Sequence, residues 1–396
     1  MISVSEATTI IQQHLYQPGK EKVALLKATG RILAASIRAD RDFPPFHRAS
    51  MDGIAIQYAS FQKGQREFHL EGILPAGEPS VALKENTHAI EIMTGAVLPA
   101  NADTVIRYED IEIVNGKATI RINVLSKGEN IHPQAQDAKQ DEIVLTPGIK
   151  IAPAEIALMA SVGKTEVDVY TFPKTAIIST GNELVDISTI PLTYQIRRSN
   201  SYALQSALYT IGCEATLFHV PDEKTILERE LKEIFATHEL IILSGGVSKG
   251  RFDFIPEVLT SLGIEKKFHQ VSQKPGKPFW FGTSSKHTVF ALPGNPVSTY
   301  MCFYRYIQPW LLQSMSLPAD EQKAILAKDF SFQPSLTYFL QVNAVNESGQ
   351  LMAYPDAGGG SGDFANLKKV SGFLELPKEK SEFKAGDAFY YYSFRQ

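Results

Sequence analysis

The sequence predicts a multidomain protein of α/β plus β class: a central doubly wound α/β domain, β-rich N-terminal domains and a small C-terminal β-barrel. Between 174 and 316, short apolar runs at 176–179, 240–243 and 289–292 alternate with helix-period segments, and each run ends in a Gly-containing turn. Runs that are apolar at nearly every position, separated by helices, suit a parallel sheet covered on both faces. Between 54 and 145 the pattern is alternation: Ile111, Ile113, Ala118, Ile120 and Ile122 flank Asn115-Gly116, a hairpin signal. Beyond Pro318, runs at 338–345, 372–376 and 388–394 are divided by Gly- and Pro-bearing turns, which reads as a barrel, with a sandwich as the alternative.

The elements follow in order. Ser3 to Glu6 forms a capping box ahead of Ile10, Ile11 and Leu15, so the chain opens on a helix. A proline-rich break at 42–46 follows, and Pro153-Ala154-Glu155 opens a further short helix. The expected division is 1–45 with 138–173 as a helical and linker domain, 46–137 as a β-rich domain, 174–316 as the α/β domain and 327–396 as the barrel. Within the α/β part, Asp222 is placed to N-cap a helix carrying Ile226, Leu227, Leu231, Ile234 and Phe235. Ser199 or Asn200 is placed to cap one carrying Leu204, Leu208 and Ile211.

Length and composition bound the function. A chain of 396 residues has room for about two to four domains. A net charge of −4 argues against a general nucleic-acid or anionic-membrane binder. Cys213 and Cys302, the two cysteines, lack metal-type spacing, so a reducing compartment fits better than a disulfide or zinc scaffold. MISVSEATTI has neither a basic region nor an apolar core, and no apolar run approaches a membrane span. A cytoplasmic protein is the expectation.

The chemistry concentrates in loops. In Pro293-Gly294-Asn295-Pro296, Asn295 suits an N-cap and Pro296 the first helical position. The helix start then offers free N–H donors to an anion; a tight strand-to-helix turn is the plain alternative. Ser244-Gly245-Gly246-Val247-Ser248 follows a buried-type strand, and adjacent glycines with flanking hydroxyls can present backbone N–H groups. It is neither a Walker A loop nor GxGxxG. Thr180-Gly181-Asn182-Glu183 is a third such turn. Lys274-Pro275-Gly276-Lys277-Pro278 adds two lysines on a segment stiffened by prolines, suited to an oxyanion.

Glu183, Asp222 and Asp253 sit in the same loops. A phosphate at about 4 Å from a carboxylate costs roughly 4 kcal/mol per unit pair at an effective dielectric near 20. A helix dipole returns only about 0.3–1 kcal/mol, so a shared cleft needs a bridging cation, most simply Mg2+ on oxygen ligands. Ser50-Met51-Asp52-Gly53 and Met93-Thr94-Gly95-Ala96 read as tight polar turns at strand ends. The nine histidines show no catalytic pairing, and no GxSxG is present. The residues alone thus point to a phosphate-containing or other oxyanionic ligand in the α/β domain, held with Mg2+.

Taken in order, Ser50-Met51-Asp52-Gly53, Met93-Thr94-Gly95-Ala96, Ser179-Thr180-Gly181-Asn182-Glu183-Leu184, Ser244-Gly245-Gly246-Val247-Ser248, Lys274-Pro275-Gly276-Lys277-Pro278 and Leu292-Pro293-Gly294-Asn295-Pro296-Val297-Ser298 resemble the molybdopterin molybdenumtransferase family, the molybdenum insertases that include the gephyrin E domain. The resemblance spans essentially the whole chain. It implies that 174–316 is a molybdopterin-binding domain. It implies a reaction in which adenylylated molybdopterin and molybdate give molybdenum cofactor and AMP, with Mg2+ or another divalent cation. It also implies a homodimer with each site shared between chains, and the molybdopterin adenylyltransferase as a further partner.

Carried over by motif, Asp52 and Thr94 would approach the site from the partner chain. Glu183 and Asp253 would hold the metal and, with Asp222, organise the pterin or the attacking water. Lys274 and Lys277 would hold phosphate or molybdate. Gly245, Gly246, Ser248, Pro293, Asn295, Pro296, Ser298 and Ser361 would shape the anion pocket, the last from Gly358-Gly359-Gly360-Ser361-Gly362. Asp137 stands where an acid is common in the family. Departures from the family pattern are Arg197-Arg198 ahead of Ser199-Asn200, Gln270 in place of a frequent basic residue, Lys249 and Arg251 in the loop before Asp253, and Ile54 in place of a usual tyrosine. They bear on how nucleotide and oxyanion are held. Two other readings remain: a non-catalytic pterin-binding or scaffold protein on the same fold, and a mononucleotide-binding transferase or kinase, which the missing Walker A loop disfavours.

Overall fold

The computed structural model describes residues 1–247, 254–318 and 321–395, and the chain divides into two compact units. The larger comprises residues 1–34, 147–152 and 168–396. Its centre is a six-stranded sheet in the order Ala215–Val220, Thr175–Thr180, Leu240–Ser244, Thr288–Leu292, Pro278–Thr283 and Glu265–Gln270. The first four strands are parallel and the last two antiparallel.

Side-chain alternation explains the all-apolar runs. Ile177, Ile242, Phe290 and Leu292 pack with Leu204 and Leu208 of helix Ser199–Thr210 and with the helical stretch after Pro296. Ala176, Ile178, Ile241, Leu243 and Ala291 pack on the other face, with Leu227, Leu231 and Ile234 of helix Lys224–Phe235 and with helix Ile255–Ser261. With helices on both faces, neither parity of any central strand meets water. The two antiparallel strands are additions to the sequence reading. Phe279, Trp280 and Phe281 are fully buried there.

The helix that begins at Pro296 passes through a π turn at Phe303–Ile307 and continues to Ser314. Pro309 has no N–H to donate to the Arg305 carbonyl, and the widened turn lies where that bond is missing. The barrel forms as anticipated. Strands Thr337–Glu347, Gln350–Pro355, Lys323–Leu326, Ala388–Ser393 and Gly372–Leu376 pair in sequence, and the last returns to the first. The N-terminal helix Val4–Gln12 opens with the expected capping box, the Ser3 side chain accepting from the Glu6 N–H.

The smaller unit comprises residues 35–146 and 153–167. Its six-stranded sheet runs Thr104–Arg107, Gly53–Ile56, His88–Ile92, Glu67–Leu74, Lys117–Ile120 and Ile111–Val114. Asn115 and Gly116 have φ of 51° and 72°, as a two-residue type I′ hairpin requires. Gly53 lies in a central strand, and a Cβ there would fall 1.8 Å from the Ile106 carbonyl oxygen. The residue after Asp52 therefore has to be glycine for the strands to approach.

Two capping expectations need correction. Helix Ser199–Thr210 takes Arg198 at its N-cap position, and helix Lys224–Phe235 takes Glu223; neither makes a side-chain cap bond. Asn200 is drawn into tertiary hydrogen bonds instead, and Asp222 lies one residue before its helix cap.

Candidate active site

Register brings the glycine loops together. Ser179 pairs with Ser244, and Ser244 with Leu292, so the three turns leave neighbouring strands at one level. After Thr175–Thr180 the chain crosses to the edge strand Ala215–Val220 and then returns to Leu240–Ser244 on the other side. That reversal is the switch point beyond which open α/β sheets bind ligands. A cavity of about 840 Å3 lies there, lined among others by Thr180, Glu183, Asp222, Gly245, Gly246, Lys274, Lys277, Pro293, Asn295, Pro296, Ser298 and Ser361. Of the residues assigned to this pocket from the sequence, Ser248 and Asp253 lie outside the described residues.

Glycine is required at two positions. Gly245 has φ +105°, and a Cβ would sit 2.6 Å from the Thr180 carbonyl oxygen; Gly246 has φ +63°, and its Cβ would meet Ile255 at 2.6 Å. The Gly245 N–H donates to the Leu292 carbonyl. Beneath them the buried Thr180 hydroxyl has no partner among the described residues.

Asn295 and Pro296 occupy the N-cap and first helical positions as anticipated, but Asn295 makes no cap bond. Its Nδ2 donates to Ser361 Oγ at 2.9 Å. The Ser361 carbonyl accepts the Val297 N–H at 3.1 Å. The helix start is therefore less open than expected: Pro296 has no N–H, Val297's is taken, and only that of Ser298 lacks a partner among the described residues of the first turn.

The lysine loop is tied to the barrel. Gln273–Lys274 pairs parallel with the start of Thr337–Glu347, Lys274 facing Tyr338. Lys274 Nζ lies 5.4 Å from the centroid of Phe332, whose ring stacks on Tyr338 at 4.2 Å. Cation–π contact holds the ammonium without neutralising it. Lys277 is exposed. Arg197 and Arg198 also line the cavity. Arg198 is paired with Asp186, whose carboxyl is pulled down to about 2, chiefly by the Ser188 N–H and hydroxyl and then by Arg198. Even with Arg198 taken up by Asp186, three cations face the two described carboxylates, Glu183 and Asp222, in the lining, a balance that favours an anionic guest.

Sequence reasoning missed several contributors. Leu336, Tyr338, Phe339 and Gln341 reach the cavity from the barrel, and no motif marks them. Asn200 Nδ2 lies 2.8 Å from the Gly294 carbonyl, 3.0 Å from Ser244 Oγ and 3.4 Å from Thr299 Oγ1, tying two glycine loops together. Asn200→Ala is expected to cost about 1–3 kcal/mol by leaving those acceptors unpaired. Urea denaturation measures it, and an unchanged midpoint would show that the loops hold without it.

In the smaller unit Asp52 Oδ1 accepts the Thr94 N–H at 2.6 Å and the Thr94 hydroxyl at 2.7 Å. The register Gly53↔Ile92 places both turns at the same strand ends. These bonds, the backbone one first, hold the Asp52 carboxyl below its ordinary range. Asp137 lies 2.9 Å from His132 Nε2. In the larger unit, Cys213 and Cys302 are buried, unpaired thiols, and burial pushes Cys213 up to about 11; neither suits nucleophilic work. No group of three metal-ligating side chains occurs among the described residues, and no helix among them is long and apolar enough to cross a membrane.

Comparison with known proteins accords with this geometry. Residues 2–163 match the MoeA N-terminal region (domain I and II), 176–313 the probable molybdopterin binding domain, and 323–394 the MoeA C-terminal region (domain IV). The molybdopterin molybdenumtransferase of Synechocystis sp. is 40% identical over the full length of both chains. That of Haemophilus influenzae is 30% identical, covering 98% of this chain and 97% of the relative. The crystal structure of a molybdopterin biosynthesis MoeA protein from Pyrococcus horikosii superposes with a TM-score of 0.85 at 29% identity, covering both chains completely. The chain belongs to the molybdopterin molybdenumtransferase family.

Proposed function

We propose that this protein is a molybdenum insertase: it converts adenylylated molybdopterin and molybdate into molybdenum cofactor and AMP. One observation carries the reading, namely the single cavity at the sheet's switch point where glycine turns, two lysines and two carboxylates converge. Lys274 and Lys277 hold oxyanions, molybdate among them, and the Gly246 and Ser298 N–H groups meet phosphate oxygens. Water attacks the phosphoanhydride and AMP leaves; the two dithiolene sulfurs of the pterin bond to molybdenum while one molybdate oxygen departs with their two protons as water, so the protein's thiols stay idle.

Glu183, whose carboxylate lines the cavity, and Asp253, assigned from the sequence, would hold a divalent cation such as Mg2+, because that ion takes one or two carboxylates and fills its remaining positions with substrate phosphates and waters. When bound it neutralises phosphate charge beside the carboxylates. We also assign Asp52 and Thr94 to the active site of a second copy of the chain, making the working form a homodimer. The adenylyltransferase that forms the substrate is its delivering partner. Two buried, unpaired thiols are in keeping with work in the cytoplasm.

The test mixes the protein with adenylylated molybdopterin, Mg2+ and molybdate and follows AMP. Release matched by cofactor formation is the expected result; tight pterin binding without AMP would instead favour a scaffold. Lys274→Ala is expected to weaken molybdate binding about tenfold by removing a charge-assisted contact. Calorimetry giving equal affinities would remove Lys274 from the oxyanion site.

A further inference from the structure

Beneath the lysine loop lies a buried polar chain for which the glycine turns and carboxylates give no reason. Gln273 is fully buried and Tyr306 2% exposed. The Tyr306 hydroxyl donates to Gln273 Oε1 at 2.5 Å, and Gln273 Nε2 donates to the Gly276 carbonyl at 2.9 Å. Gly276, with φ +88°, has no room for a side chain: a Cβ would lie 2.9 Å from both Cys302 Sγ and Gln273 Nε2. Tyr306 belongs to the π turn Phe303–Ile307. Burial pushes its phenol well above the ordinary range, so it remains a donor at every working pH.

The order of contacts is directional. Tyr306 fixes the Gln273 carbonyl oxygen, which turns the amide nitrogen toward the Gly276 carbonyl, with Cys302 Sγ at 3.7 Å as a second and weaker acceptor. Gly276 stands between Lys274 and Lys277, each within two residues of it. We infer that Gln273 and Tyr306 are positioning residues for the oxyanion: they hold the loop backbone so that both lysines face the cavity together. This inference rests on the insertase reading of the lysine loop. It touches no reacting atom, so its effect falls on oxyanion affinity and not on the chemical step.

Tyr306→Phe deletes one oxygen, leaving Gln273 Oε1 unpaired and its amide free to turn. Gln273→Met keeps the volume but frees the Gly276 carbonyl. Each is expected to raise KM for molybdate about fivefold, the size of one buried hydrogen bond, with kcat at saturation within about twofold. The double variant should also lie near fivefold, since both changes act through the same Gly276 contact. A merely structural role would lower the melting temperature and the active fraction, hence kcat, and leave KM alone. Unchanged KM in Tyr306→Phe, or effects that multiply in the double variant, would overturn the inference. Lys274→Ala, measured alongside, separates the two levels. If it raises KM while Tyr306→Phe does not, only the positioning role falls. If it leaves KM unchanged, the lysine-loop reading falls and takes this role with it.

Discussion

Glu183→Gln is expected to lower AMP release by about a hundredfold or more, the scale of losing a metal-held or acid–base group. Its melting temperature should move little, because an exposed loop residue outside packing and capping changes stability by about 0.5 kcal/mol or less. Glu183 lines the cavity and makes no side-chain hydrogen bond or ion pair with any described residue. Its carboxylate sits over the Gly181 backbone, within 2.7–2.8 Å of where a Cβ would be. Under the proposed reading, a carboxylate with no partner among the described residues sits beside the substrate's phosphate, which is repulsive unless a cation joins them. The exchange for an amide therefore has two opposite effects. Without a divalent ion, the variant should bind the adenylylated pterin at least as well as the parent, because the repulsion is gone. With the ion present, it should fail to turn over. Equal turnover in the two proteins would show that Glu183 is a bystander, and weaker metal-free binding would show that it contacts the substrate directly.

The doubly wound sheet was legible because burial on both faces writes itself into the sequence: strand 240–244 is apolar at every position until Ser244, where the glycine loop begins. The hairpin at Asn115-Gly116 was legible because two positive φ angles leave few residue choices. Strands Glu265–Gln270 and Pro278–Thr283 were hidden, since lysines and prolines surround them and only the packing of Phe268 and Trp280 gives them away. The caps misled for a different reason. Asn200 and Asn295 have the chemistry of caps, but each amide finds a better-placed acceptor far along the chain, at Gly294 and Ser361. Local rules rank local options, and a tertiary acceptor at 2.8–2.9 Å outcompetes them. Gln273 was invisible for the same reason, its partners lying at Gly276 and, through the π turn, Tyr306.

The largest effect is expected from mixing two inactive proteins. Asp52→Ala and Glu183→Gln should each abolish turnover alone, the first by removing a carboxylate held ionised by Thr94. Under the shared-site proposal, a mixed dimer has one site that pairs the intact Asp52 of one chain with the intact Glu183 of the other. Its second site carries both defects. Random assembly of equal amounts gives about half mixed dimers with one good site of two, so activity should return to about a quarter of the parent's per chain, as two-fold symmetry dictates. Co-expression followed by AMP assay reads the outcome directly. If both residues served one site within a single chain, every site in the mixture would carry a defect and nothing would return. If Asp52 merely held the Met93-Thr94-Gly95 turn, its variant would lose stability and keep turnover in the folded fraction. Recovery near a quarter fits neither case, and its absence from a mixture shown to contain mixed dimers would remove Asp52 from the partner's active site.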